Sequence, residues 1–183
     1  MMLAATLLLP ALPLLALGAA GVAVSLGRPV LFRQDRLGLG GRPWRVAKLR
    51  TMRPGPGPDA ARTPPLGRLL RRSKIDELPQ LLDVLAGRLS FVGPRPLPPG
   101  IMDPHSALLP LRLSVRPGLT GWAQVAGGTR LTNPEKLALD CFYARRVSAR
   151  FDALILWRTL ATLLGGERRD EAAISAALAD AGQ

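Results

Sequence analysis

An uncharged N-terminal run constrains the fold of this chain more than any other feature. Residues 1–27 carry no charged side chain, and Arg28 is the first. As a helix this run would be roughly 40 Å long at 1.5 Å per residue, which is long enough to cross the hydrocarbon core of a bilayer. The run therefore has three possible interpretations: a signal peptide, a spanning helix, or a helix that enters and leaves one leaflet.

Charge and proline positions separate these three interpretations. A signal peptide needs positive charge before its apolar stretch, and this chain has none there. A straight spanning helix has to tolerate Pro10 and Pro13, which remove backbone donors and clash with the preceding turn. A kink near the middle of the run reverses the chain direction, so we predict a re-entrant helix broken at Pro10, with a spanning helix as the alternative. Seven cations between positions 28 and 50 predict a cytoplasmic location for the rest of the chain.

The overall charge predicts an anionic partner. Lys and Arg number 25 against 13 acids, for a net charge of +12, which suits nucleic acid, an acidic membrane surface or phosphorylated substrates. Three Trp, four Phe and one Tyr are few for stacking on bases, and no nucleic-acid motif is visible, so we predict no nucleic-acid partner. The single Cys141 excludes an internal disulfide and a multi-cysteine zinc site, and we expect a buried thiol.

The presence of only one Cys and one His limits the kinds of metal site that the chain can form. His105 lies in a Pro-rich stretch and is expected in a surface loop, so any metal has to bind carboxylates. Oxygen ligands favour Mg²⁺ or Mn²⁺ over zinc.

Periodicity and turn residues predict an α/β chain that is mostly helical. We expect two short strands around a turn at Gly38–Gly41, an exposed loop over 53–65, and rigid loops at "VGPRPLPPG" and "VRPGLTGWAQVAGG". Leucines at helical spacing predict helices at 66–72, from Asp76 to Gly87, at 135–147 and at 149–164. Pro79 fits the second of these only in its first turn. The last helix is either a core helix or an amphipathic helix in the membrane interface with Trp157 as its anchor.

The segment "RRSKIDELPQLLDVL" places two adjacent acids behind a cluster of cations. In the simpler interpretation Asp76 caps the helix and Glu77 decorates its first turn, where the helix dipole keeps carboxylates ionised. Other features favour a functional site. "KLRTM" carries Lys48 and Arg50. In "GPRP" a proline lies on each side of Arg95, and in "VRPG" a proline directly follows Arg116. Rigidly held arginines suit bidentate binding of phosphate oxygens. These features together indicate phosphoryl chemistry on a lipid at the bilayer surface.

Four blocks carry a family resemblance that runs from about residue 7 to 164: "PVLFRQDRLGLGGRPWRVAKLRTM", "KIDELPQLLDVLAGRLSFVGPRPLP", "RLSVRPGLTGWAQV" and "LALDCFYARRVSARFDALILWRTL". Together they resemble the small monotopic phosphoglycosyl transferases, which are bacterial sugar transferases. The resemblance implies transfer of a sugar-1-phosphate from a UDP-sugar to polyprenyl phosphate with release of UMP, as the first membrane step of surface glycan synthesis. It also implies an enzyme at the inner membrane, with its catalytic domain on the cytoplasmic face and anionic lipids as partners.

The resemblance assigns roles to individual residues. It makes Asp76 the nucleophile that becomes a phosphosugar ester, and Glu77 the ligand of Mg²⁺. Lys48, Arg50, Arg71 and Arg95 fall on basic family positions and are expected to bind donor or lipid phosphates, with Arg116 as a further member. Asp140, Tyr143 and Asp152 match family positions without an assigned role.

The chain also departs from the family pattern. The break in the membrane helix reads Leu9-Pro10 where the family has Ser-Pro, and few residues lead into it. "AGGTR" follows "GWAQV" in place of the family's Asn-Gly-Arg, so Arg130 is a substitute for that Arg or a donor contact is changed. We expect a membrane helix at 1–27, a catalytic domain at 28–166 and a variable tail at 167–183 that is a peripheral helix or frayed. The alternative to an enzyme is a catalytically degenerate, basic scaffold or binding protein at the membrane.

Overall fold

A computed structural model of the chain describes residues 2–103 and 105–182. The chain forms two compact units. The first consists of Met1–Gln34 and Arg45–Gly87, and the second consists of Asp35–Trp44 and Arg88–Gln183.

The N-terminal run forms one helix, α1 (Met2–Leu26), which includes both Pro10 and Pro13. Within it, Leu8–Leu26 has a mean hydropathy of 2.0 and only 17% of this stretch is buried, so by length and composition it is able to cross a membrane. Much of its exposed surface is aliphatic, with Leu9 73% and Val24 90% exposed. The helix is not interrupted at Pro10, and the re-entrant topology stays a prediction.

The first unit packs one face of α1 against the chain that follows it. Two strands, β1 (Leu31–Leu37) and β2 (Pro43–Leu49), form a two-stranded sheet around the glycine turn, as predicted, and this unit holds the start of β1 and the end of β2. Val22 of α1, Leu49 of β2 and Leu70 form the buried core of this unit. Gly18 permits the close approach, because a Cβ there would lie 2.9 Å from a methyl carbon of Leu49.

Short helices complete the first unit: α2 (Asp59–Arg62), α3 (Pro65–Arg72) and α4 (Leu81–Leu85). The prediction of an uninterrupted loop over 53–65 was wrong, because Pro58 precedes a four-residue helical turn. The helix predicted at 66–72 is confirmed. Gly87 follows α4 with a φ of 71°, a conformation that suits glycine and ends the helix as expected.

In the second unit, one strand ends at the first residue of the predicted loop 92–100 and another lies within the predicted loop 115–128. β3 (Ser90–Val92) and β4 (Gly118–Thr120) pair in parallel, with Ser90 opposite Gly118. A Cβ at Gly93 would overlap the carbonyl oxygen of Arg116, so only glycine allows the two segments to approach this closely. The strands were missed because each is only three residues long and a proline lies within two residues of it. Two short helices, α5 (Leu109–Leu113) and α6 (Trp122–Val125), flank β4.

The three remaining helices build the core of the second unit: α7 (Asn133–Arg145), α8 (Ala149–Gly165) and α9 (Glu171–Ala181). Thr132 begins α7 with a capping box, in which its side chain accepts from the Glu135 amide and Glu135 accepts from the Thr132 amide. Leu139 and Ile155 are fully buried. The tail forms α9, whose Ile174 and Ala177 are part of the same core, so this segment is neither frayed nor peripheral.

Helix α8 exposes an apolar surface. Ile155 is the only buried residue recorded within it. Trp157 is 71% exposed and Leu164 is 92% exposed, and other exposed side chains are Leu154, Leu156, Leu160 and Leu163. Helix α8 therefore packs one side on the core through Ile155 and exposes the opposite side, so it fits the core interpretation only in part. An aliphatic and aromatic surface of this extent favours the interfacial alternative.

Candidate active site

The two acids lie in a tight turn between α3 and α4. After α3, Lys74 adopts a left-handed conformation with a φ of 59°, which no other non-glycine residue of the described chain does. The chain then forms a 3₁₀ helix, Ile75–Gln80, with Asp76 and Glu77 in its first turn. We predicted an α-helix from Asp76. That prediction was wrong for residues 76–80, because the regular helix α4 begins only after Pro79, which lacks the amide that an α-helix would use.

The helix-cap interpretation of Asp76 is also wrong. Lys74 occupies the cap position of the 3₁₀ helix, and no side chain makes a capping hydrogen bond there. Asp76 is only 3% exposed, and its Oδ1 is buried with no hydrogen-bond partner in the described part of the chain. A buried acceptor without a partner is costly for stability. Such an atom needs an explanation, and catalysis or a bound ion is one.

The electrostatics of Asp76 combine burial with nearby charge. Burial, followed by the adjacent Glu77 carboxylate, raises the pKa of Asp76 to about 6. Lys48, Lys74 and Arg71 oppose this rise, so all three cations lie close to the carboxylate. The helix start was expected to keep the carboxylates ionised, and for Asp76 burial outweighs that effect. The carboxylate is still mostly ionised at pH 7.

Two of the predicted phosphate ligands, Lys48 and Arg71, are held near Asp76 by other contacts. Lys48 Nζ lies 5.6 Å from the centroid of the Phe32 ring. Arg71 Nε donates to the hydroxyl of the buried Thr51 at 2.9 Å, and Arg71 Nη1 lies 3.8 Å from a carboxylate oxygen of Asp59. These contacts limit the rotamer freedom of both cations, which lowers the entropic cost of binding an anion.

Arg50, the third predicted ligand in this unit, binds the end of α1. Its Nη2 donates to the carbonyls of Leu26 and Gly27, the latter at 2.6 Å. Carbonyls at the last turn of a helix lack partners within the helix, and a basic side chain is a usual donor to them. Some of the donors of Arg50 are therefore engaged within the protein.

The acids fit a magnesium ion only if the substrate supplies most of its ligands. No group of three or more His, Cys, Asp or Glu side chains suited to a metal occurs within 2–103 and 105–182. Mg²⁺ commonly binds one or two carboxylates together with phosphates and water. The half-buried Glu77 and the unpartnered oxygen of Asp76 match such a partial ligand set.

Arg95 and Arg116 belong to the second unit. Arg116 is exposed and Arg95 is half-buried. Sequence reasoning missed Arg112, whose Nε donates to Asp140 at 2.9 Å in a buried ion pair. The two residues are 28 positions apart, and no local pattern signals their pairing.

The other two family-matched residues and the altered glycine segment also make contacts in the second unit. Tyr143 donates its hydroxyl to Asp152 at 2.8 Å, and burial with this contact raises its pKa. Arg130 is exposed. Glu167 accepts from the Thr129 amide at 2.9 Å, so the segment that departs from the family pattern is held by the first residue of the tail.

Comparisons with known proteins identify the family of this chain. A model of the family described as bacterial sugar transferase matches residues 1–166. The chain is 42% identical to the uncharacterized sugar transferase EpsL of Bacillus subtilis over 80% of this chain and 75% of the relative. It is 44% identical to a UDP-glucose:undecaprenyl-phosphate glucose-1-phosphate transferase of Caulobacter vibrioides over 83% of this chain. It is 36% identical to a UDP-N-acetylgalactosamine-undecaprenyl-phosphate N-acetylgalactosaminephosphotransferase of Aeromonas hydrophila over 75% of this chain.

Coverage of these relatives differs. The chain spans 63% of the length of the Caulobacter protein and 36% of the Aeromonas protein. Two of the three carry the names of phosphoglycosyl transferases, the enzyme class that the sequence blocks implied. The matched residues include both acids and all the predicted cations, and the chain belongs to the bacterial sugar transferase family.

Proposed function

We propose that this chain transfers a sugar-1-phosphate from a UDP-sugar to polyprenyl phosphate and releases UMP. The observation that carries the proposal is the buried Asp76 carboxylate, whose Oδ1 has no hydrogen-bond partner in the described chain and whose pKa three nearby cations lower. Because no hydrogen bond occupies this oxygen, its lone pairs are available for attack on phosphorus. Relatives named for the same reaction support the assignment of substrate class.

The proposed chemistry has two displacements at one phosphorus. An oxygen of Asp76 attacks the β-phosphorus of the donor, the bond from that phosphorus to the bridging oxygen breaks, and UMP leaves with the electron pair. The sugar phosphate is then an acyl phosphate on Asp76. A phosphate oxygen of the lipid attacks the same phosphorus and releases the carboxylate. Covalent catalysis of this type replaces one difficult transfer with two easier ones.

Cations reduce the repulsion between the carboxylate and the diphosphate. Lys48, Lys74 and Arg71 already act on the Asp76 charge in the free protein, so an incoming phosphate meets positive charge that is in place. Arg50, Arg95 and Arg116 are further proposed phosphate ligands on the strength of the sequence blocks. A Mg²⁺ ion, held by Glu77 and the substrate phosphates, would offset the charge on the leaving phosphate.

The proposed location is the cytoplasmic face of the inner membrane, where a polyprenyl phosphate is available. The apolar exposed surface of α1 supports membrane association, and the cations after position 27 favour the cytoplasmic side. The exposed face of α8 supports a second contact with the interface, with anionic lipids as partners for the basic chain. We infer that the product serves as the first lipid-linked sugar of a surface glycan.

The test is UMP release by the full chain in lipid vesicles with a panel of UDP-sugars that includes UDP-glucose and UDP-N-acetylgalactosamine, with and without polyprenyl phosphate and Mg²⁺. Asp76→Asn should abolish release, because an amide does not form the acyl phosphate. Asp103→Asn is the matched control, since Asp103 is exposed and lies in the second unit, and this variant should keep the activity.

A second measurement tests the intermediate. Incubation with the UDP-sugar and without the lipid should leave a phosphosugar mass on the peptide that carries Asp76. Normal turnover by Asp76→Asn would contradict the mechanism. No UMP from any donor by the unmodified chain would favour the degenerate binding protein.

A further inference from the structure

The backbone on both sides of Arg95 is held at four consecutive carbonyls. Pro94 O accepts from the Gly118 amide at 3.0 Å, and Leu97 O accepts from the Leu37 amide at 3.0 Å. Between them, Pro96 O accepts from an Arg36 guanidinium nitrogen at 3.0 Å. The fourth carbonyl is that of Arg95 itself.

The donor to the Arg95 carbonyl is a buried arginine from another helix. Arg112 of α5 donates its Nη2 to Arg95 O at 2.5 Å and its Nε to Asp140 of α7 at 2.9 Å. The side chains of Arg112 and Asp140 are 3% and 4% exposed. One guanidinium thus joins α5, α7 and the segment that carries Arg95.

Stability alone does not account for this ion pair. Burying two charges costs solvation free energy that their attraction repays only in part, and apolar replacements of similar volume are often as stable. What an apolar pair does not supply is a donor for the Arg95 carbonyl. Pro94 and Pro96 have no amide to donate, so the orientation of this peptide depends on the hydrogen bonds that its carbonyls accept.

We propose that Arg112 and Asp140 are positioning residues that fix the peptide of Arg95 and thereby aim the Arg95 guanidinium at a phosphate of the nucleotide-sugar donor. This inference rests on the proposed function, and it adds to it the way in which the second unit presents its phosphate ligand. The ion pair does not touch the substrate. It acts through the orientation of Arg95, because a bidentate guanidinium–phosphate contact requires a defined direction as well as a charge.

The test is a double-mutant cycle on the full chain in lipid vesicles, measured as kcat and KM for the UDP-sugar. Arg112→Met combined with Asp140→Leu removes both charges together, so no unpaired charge stays buried and the fold should persist. We expect a loss of about 10- to 100-fold in kcat/KM, the size of one lost charge-assisted hydrogen bond. Arg95→Ala alone should cause a similar loss.

The decisive measurement is the effect of Arg95→Ala in the background of the Arg112→Met, Asp140→Leu variant. If the pair acts through Arg95, this third substitution should add little, since the guanidinium is already misaligned. Losses that multiply as independent factors, or a folded double variant with unchanged kcat/KM, would overturn the inference. Thermal unfolding of each variant distinguishes loss of the folded state from misorientation of the Arg95 guanidinium.

One control variant tests whether loss of any ion pair near α7 lowers activity, and two outcomes separate the proposed function from the positioning role. Asp180→Asn breaks different ion pairs, those of Asp180 on α9 with Arg145 and Arg146 at the end of α7, and should leave kcat/KM unchanged. Absence of UMP release by the unmodified chain would contradict the proposed function. Normal release with multiplicative losses in the cycle would contradict the positioning role alone.

Discussion

At the scale of the residue, the fold keeps Asp76 in a state that is unfavourable for stability. The residue is 3% exposed, its Oδ1 has no partner in the described chain, and burial raises its pKa to about 6. The usual Asp in a folded protein gains partners and has a lowered pKa. The preceding Lys74, with its left-handed backbone, adds a second local cost. Such costs at a proposed nucleophile are what a trade-off between stability and activity predicts.

This trade-off predicts that Asp76→Asn stabilises the protein while it abolishes transfer. The folded pKa, about 6, lies above the unfolded value of 3.8, so the protonated form favours folding. That contribution is fully present below the unfolded pKa and is lost as the pH rises through the folded pKa. Ionised Asp76 therefore costs up to roughly 3 kcal/mol at pH 8. The neutral amide avoids this cost.

Thermal unfolding in detergent at pH 8 and pH 5 measures this effect. The Tm of Asp76→Asn should exceed that of the unmodified chain at pH 8, and the difference should shrink at pH 5. Asp103→Asn, which replaces an exposed carboxylate, should change the Tm little at either pH. A lower Tm of Asp76→Asn, equal at both pH values, would show that the carboxylate has partners essential to the fold.

At the scale of the element, hydrophobic spacing predicted the longer helices correctly and short elements poorly. α7 and α8 and the glycine turn between β1 and β2 were predicted because each has a full repeat or a turn signature. β3 and β4 were missed because parallel pairing depends on a contact between segments 28 residues apart, Ser90 and Gly118. The turn at Ile75–Gln80 was assigned as α-helix, since the 3₁₀ form leaves no separate mark in sequence spacing.

In the candidate site, as in the fold, features with a local sequence pattern were predicted and contacts between distant segments were not. Local patterns identified the acids and the cations, because both stand out from their neighbours in type. Those patterns did not identify Arg112, because its partner Asp140 lies on a different helix, nor the contact of Arg50 with the end of α1.

The exposed face of α8 makes a prediction at this same scale. Leu164→Cys places a thiol at a position that is 92% exposed, and a nitroxide label there should be accessible to oxygen dissolved in the lipid and protected from a water-soluble relaxation agent. Cys141 does not compete for the label, because it is buried and burial raises its pKa to about 11.

Ser175→Cys is the matched control for this measurement. Ser175 is an exposed position on α9, a helix whose sequence lacks the leucine-rich surface of α8. A label there should be accessible to the water-soluble agent. Equal accessibility of the two labels in vesicles would contradict the interfacial assignment of α8.

At the scale of the whole molecule, membrane association and charge favour the same partner. An apolar helix long enough to cross a bilayer precedes a chain with a net charge of +12. A basic protein at a membrane surface attracts anionic lipid head groups and phosphorylated lipids, and this attraction raises their local concentration near the protein. The composition therefore suits a reaction in which one substrate is a nucleoside diphosphate sugar and the other is a lipid phosphate.

The topology of α1 supplies the last prediction. The helix includes Pro10 and Pro13, each of which removes a backbone donor and favours a bend within the bilayer. A re-entrant segment keeps both of its ends on the cytoplasmic side, so a cysteine added before Met1 should be modified by an impermeant maleimide only after the inner membrane is opened.

Pro10→Leu combined with Pro13→Leu restores the missing donors and should move the segment towards a spanning helix. The added cysteine of that variant would then be modified in intact spheroplasts. Val147→Cys, at an exposed position between α7 and α8, is the cytoplasmic control and should be protected in both backgrounds. Modification of the added cysteine from outside in the unsubstituted chain would establish a spanning helix and contradict the re-entrant topology.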